Sequence, residues 1–131
     1  MSPRDSKKVW VAVAAGFEVL VGIALFANPS LLTWLLFASD LTQPGQEMGR
    51  VAGLALLGLA LACLPRPGAG ETSTATIEGL LLLSVLVTAY LVYLGLSTAS
   101  VGVLPWPAAA THVALAVLLA RVWINKPRAA Q

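Results

Sequence analysis

Charged side chains are scarce in this chain, at 11% of its 131 residues, where soluble domains carry roughly a quarter. Hydrophobic residues make up 58%, and the mean hydropathy is +0.84. So short a chain leaves much of its surface exposed, and a surface this poor in charge is suited to lipid rather than water. Cysteine and histidine occur once each, as Cys63 and His112. A single cysteine excludes an internal disulfide and a thiolate metal cluster. A single histidine excludes bis-histidine haem ligation within the chain. No glycine-rich phosphate loop, no Ser-His-Asp set and no metal-ligand spacing is present. These absences argue against an enzyme and for a protein with no metal and no cofactor of its own. The net charge of +2 does not point to nucleic acid, because the basic residues lie at the chain ends and in one loop instead of along a face.

What is present is a set of long apolar runs. Four segments, at about 9–27, 47–64, 75–96 and 106–124, each approach the ~20 residues needed to cross a hydrocarbon core. The expected fold is all-α: one transmembrane domain, a four-transmembrane-helix bundle. MSPRDSKK superficially resembles a secretory leader, but the run behind it is long, carries Glu18 and lacks a small-residue cleavage site, so it reads as a retained helix. Pro65, Pro67, Pro105, Pro107 and Pro127 mark helix ends, since proline lacks the N–H a continuing helix needs. Between spans one and two, LLTWLLF is too short to cross a bilayer; a short interfacial helix at about 30–38 is expected, in preference to an extension of span one past a proline kink.

Arg4, Lys7 and Lys8 precede span one, Arg66 lies between spans two and three, and Arg121, Lys126 and Arg128 close span four, whereas the 38–46 loop holds only Asp40 and the 97–105 loop no charge. The positive-inside rule then puts both termini in the cytoplasm, and the expected location is a bacterial inner membrane. Trp10 and Trp123 fall at inner span ends and Trp34 and Trp106 at outer ones, as interfacial aromatic belts require.

Small residues let membrane helices approach closely. Gly16 and Gly22 in span one, and Gly49, Gly53 and Gly58 in span two, are therefore candidate helix-packing positions, with Gly49 and Gly53 in G-x-x-x-G spacing. They would serve either packing inside one bundle or docking of another subunit. Inside the spans the polar residues stand out. Glu18 and His112 each lie roughly 13 Å from the cytoplasmic edge, at about 1.5 Å per residue. Arg50 enters span two from the outer side, Tyr90 and Tyr93 lie in the outer half of span three, and Thr88 and Thr111 add hydroxyls. An unpaired charge at the membrane centre costs at least ~2.5–3.5 kcal/mol, so Glu18, Arg50, His112 and Tyr90 are expected to form a buried polar cluster. It would be either a structural clasp or a site for a ligand, a proton or a partner. Glu78, near the start of span three, reads as an acid favouring the helix N-terminus, and Cys63 as a small apolar filler.

Ala108-x-x-x-His112 resembles the A-x-x-x-H arrangement of light-harvesting polypeptides, in which a small residue makes room for a pigment. The glutamate in AAGFEVLVG resembles that of the small multidrug-resistance transporters, over one short stretch. FEVLVGIALFANPSLLTWLLF, GRVAGLALLGLALACLP, YLVYLG and VGVLPWPAAATHVAL together resemble a group of uncharacterised small four-span bacterial membrane proteins, broadly DoxX-like, over about 110 residues. That resemblance implies a four-helix topology and no assigned activity. The function expected is that of a non-catalytic accessory or scaffolding subunit, with the lipid bilayer and a larger membrane complex or a second copy as partners and no nucleic acid. The competing expectations are a small transporter or ligand-binding protein built on Glu18, Arg50 and His112, and a pigment- or haem-binding subunit using His112 as axial ligand.

Overall fold

A computed structural model describes residues 3–65, 72–97 and 102–124. Arg66, Pro67, Lys126, Pro127 and Arg128 lie outside the described residues. Among the described residues, five helices run in the order α1 (Pro3–Ala27), α2 (Pro29–Phe37), α3 (Gln43–Cys63), α4 (Thr74–Ser97) and α5 (Pro105–Ile124). Four of them, all but α2, contain segments long and apolar enough to cross a membrane.

Local chemistry sets the ends. Asn28 leaves helical geometry between α1 and α2, and its side chain accepts a hydrogen bond from the Leu31 N–H at 3.0 Å, capping α2 behind Pro29. LLTWLLF therefore forms a separate helix and does not extend span one. Thr42 caps α3, with proline in the first turn, so this helix starts at Gln43, about one turn before the position expected at 47. Leu64, extended ahead of Pro65, ends it. At α4 the cap is Ser73, whose Oγ accepts from the Thr76 N–H at 3.1 Å. α1 begins at Pro3, earlier than position 9, because the polar residues ahead of the apolar run continue the same helix.

The close contacts fix the helix directions. Gly22 faces Gly53 and Leu57, and Pro29 faces Gly49, so α1 and α3 are antiparallel. Gly95 faces Trp106, and the Trp123 indole N–H donates to Glu78 Oε1 at 2.9 Å, so α4 and α5 are antiparallel too. The starts of α1 and α4 and the end of α5 share one core of Val11, Ala14, Ile77, Leu80, Leu115, Leu119 and Val122, with Trp10, Phe17, Cys63 and Leu81 packed against it. This packed half lies at the end where α1 begins. Outward-facing apolar side chains such as Leu20, Leu54, Leu86 and Val117 give these helices surfaces suited to hydrocarbon, which helices can present because they satisfy their own backbone groups.

Candidate functional site

Where the packed core ends, Glu18 on α1 meets His112 on α5. Both are buried, 4% and 5% exposed, and the Glu18 Oε1–His112 Nδ1 distance is 3.8 Å. That is a contact between an acid and a base but longer than a hydrogen bond. Among the described residues, His112 Nδ1 has no hydrogen-bond partner. The imidazole is held by Phe17, whose ring meets it edge to face with centroids 5.4 Å apart. The residue beside Glu18 in sequence thus orients the group opposite Glu18 in space.

Beyond the pair, toward α2, the bundle is hollow. A cavity of about 420 Å³ reaches from Glu18 and His112 to α2, within the ~300–1,000 Å³ range of small-molecule pockets. α1 lines it with Phe17, Val21 and Leu25, and α4 with Leu83, Val87 and Leu91. α5 contributes Pro107, Ala108 and Thr111 in addition to His112, and α3 contributes Leu56. Leu32 and Leu36 of α2, with Leu104, line the far end. The Gly102 and Leu104 N–H groups donate to the carbonyls of Leu36 and Leu35 at 3.0 and 2.9 Å, tying α2 to the lead-in of α5. A side chain at position 102 would run into the Leu35 carbonyl, so glycine permits that approach. Ala108, one turn before His112, leaves space in the wall that a larger residue would fill.

Only part of the expected polar cluster assembles. Glu18 and His112 come together. Arg50 does not join them: its guanidinium donates to Glu47 Oε1 at 2.7 Å, one turn away on the same helix and well exposed. The i,i+3 spacing of Glu47 and Arg50 carried that signal in the sequence. Tyr90 is 59% exposed on the outer surface of α4, with Tyr93 on the same side, so Tyr90 is also no member of the cluster. Thr88 and Thr111 donate to the Ser84 and Pro107 carbonyls of their own helices, and buried Ser84 does the same to Leu80. Such back-bonding satisfies a hydroxyl without a partner helix. Glu78 lies beyond the first turn of α4 and binds the Trp123 indole, so it ties helices together instead of capping one.

The glycines divide similarly. Gly22, Gly49 and Gly53 pack where α1 and Pro29 meet α3, whereas a Cβ at Gly16 or Gly58 would meet nothing within 4 Å among the described residues. Those two are not helix-packing contacts. Sequence reasoning missed the cavity's far wall, Leu32, Leu36 and Leu104, because an apolar side chain carries no mark of what it lines. Among the described residues, no three His, Cys, Asp or Glu side chains cluster as a metal site would require.

Compared with known proteins, the chain matches no family model, no curated protein and no solved structure.

Proposed function

We propose that this chain is a non-catalytic membrane protein that holds one apolar small molecule inside its four-span bundle. The supporting observation is the cavity of about 420 Å³ with the buried Glu18–His112 pair in its wall. Apolar walls with a few convergent polar groups are the usual composition of a ligand site. A purely structural clasp would draw the two groups into a hydrogen bond and leave no space beside them. An accessory role in a larger complex gains nothing from the Gly49–Gly53 ridge, which α1 and Pro29 already cover. We further place the protein in a bacterial inner membrane with the start of α1 on the cytoplasmic side, supported by Lys7, Lys8 and Arg121 at that end of the bundle.

The test is recovery of the occupant. Protein purified in mild detergent is extracted with organic solvent and the extract analysed by mass spectrometry, for the natural chain and for Ala108→Phe, which fills the cavity in place. The expected result is a discrete apolar compound near one per chain in the natural protein, lost from the variant while its helicity is retained. Equal recovery from both, or none from the natural protein, counts against the reading.

A further inference from the structure

We infer that the cavity takes one hydrocarbon chain of a bilayer lipid, admitted sideways between α3 and α4. The inference rests on the reading above that the cavity holds an apolar molecule, and it names that molecule's source and its route.

The route follows from which helices pack together. α3 lies along α1 and α4 along α5; α1 also meets α4 and α5, and α2 meets α1, α3 and α5. Among the described residues, neither α2 nor α3 packs along α4. Yet α3 and α4 both line the cavity, through Leu56 on one side and Leu83, Val87 and Leu91 on the other. The cavity is not sealed, and Leu56, Leu83 and Val87 are only half-buried. Leu86 and Tyr90, next round α4 from Leu83, are exposed, so the lining continues onto the outer surface of the bundle. The gap between α3 and α4 therefore opens the cavity sideways. Leu83 lies roughly 13 Å along α4 from its start, at about 1.5 Å per residue. That depth is inside a hydrocarbon core of about 30 Å.

At that depth the neighbouring molecules are lipid chains. Leu83, Val87 and Leu91 recur every four residues, as do Phe17, Val21 and Leu25, and each stripe extends about 12 Å along its helix. The cavity thus runs along the helix axes, the direction in which bilayer chains lie. A chain gains no hydrophobic energy on leaving the bilayer, because lipid tails are as apolar as leucine. It gains the dispersion contacts that the walls of an empty cavity lack. Water does not compete for the leucine- and valine-lined part, since apolar cavities stay dry. A volume of about 420 Å³ cannot take a whole two-chain phospholipid. One chain enters while the headgroup and the other chain stay outside, which only a side opening allows.

The protein is placed in phosphatidylcholine nanodiscs doped with a phosphatidylcholine that carries a diazirine near the end of one chain. After irradiation, the labelled residues are mapped by mass spectrometry. A small apolar probe, trifluoromethyl-phenyl-diazirine, which can enter by any path, is run in parallel. The phospholipid is expected to label Val21 and Leu91 inside the cavity, besides exposed residues such as Leu86. Ala108→Phe, which fills the cavity, is expected to abolish the inner labelling and keep that of Leu86. Ala52→Trp, one turn before Leu56 on the same face of α3, narrows the opening and is expected to abolish it too. Leu54→Trp, on the opposite face of α3, is expected to leave it unchanged. Phospholipid labelling confined to exposed residues, with the small probe still reaching Val21 and Leu91, overturns the lipid chain but leaves cavity binding standing. Inner labelling that survives Ala52→Trp, or is lost equally with Leu54→Trp, overturns the route. Inner labelling that survives Ala108→Phe overturns the location. Labelling of the cavity by neither probe overturns the inference and the reading beneath it.

Discussion

At the scale of single residues, the informative atom is His112 Nδ1. A buried polar atom left without a partner costs roughly 1–3 kcal/mol, and here the remedy is near, since Glu18 Oε1 is 3.8 Å away. Phe17 and the imidazole pack edge to face, and the gap to Glu18 stays longer than a hydrogen bond. A pair held apart contributes little to the fold. Replacing a buried acid–base pair by apolar side chains is often neutral or stabilising by about 1–4 kcal/mol. Glu18→Leu/His112→Leu is therefore expected to match or raise the thermal unfolding midpoint in detergent, while each single replacement, which strands one polar group, falls below the double. A double variant several degrees less stable than the natural chain would make the pair a structural clasp.

At the scale of elements, the α1–α3 contact decides how the bundle closes. A Cβ at Gly53 would stand 2.8 Å from both the Gly22 carbonyl oxygen and the Phe26 nitrogen, backbone atoms that cannot rotate away. Gly53→Ala is expected to cost about 1–3 kcal/mol, the usual penalty of overpacking. Gly58→Ala, with open space around it, is expected to be neutral or to gain up to about 1 kcal/mol from helix propensity. Unfolding by a denaturing detergent compares the two, and equal effects would refute the assignment of Gly53 to the interface. The four long helices were legible in the sequence because an apolar run of that length has few other uses. The Glu18–His112 meeting was legible from equal depth alone, since two groups expensive in hydrocarbon lower their cost by meeting. The rest was hidden for physical reasons. α4 is apolar all round, so nothing in its sequence tells which side Tyr90 faces. All five glycines looked equally able to pack, because a glycine permits close approach without showing whether a neighbour takes it. LLTWLLF is likewise apolar apart from Thr33, and its role as a cavity wall depends on hydrogen bonds from Gly102 and Leu104, far along the chain.

For the whole molecule, the bundle is solid in one half and hollow in the other, with Glu18 and His112 at the boundary. The solid half carries the starts of α1 and α4 and the end of α5; the hollow half lies under α2 and the 102–104 segment. The orientation in the membrane decides which leaflet an occupant would come from. Lys7, Lys8 and Arg121 all belong to the solid end, whereas the one basic residue of α3 at the other end, Arg50, is paired with Glu47. Positive charge near span ends is retained on the cytoplasmic side, so the hollow half should face the outer leaflet. Single cysteines placed at Thr42 and at Ser73 in a Cys63→Ala background test this, because these capping residues lie at opposite ends of the bundle and neither is buried. A membrane-impermeant maleimide applied to intact cells is expected to label Thr42→Cys and to label Ser73→Cys only after the cells are opened. The reverse pattern would turn the bundle over and move access to the cavity to the inner leaflet, and labelling of both in intact cells would contradict a transmembrane arrangement in which α3 separates them.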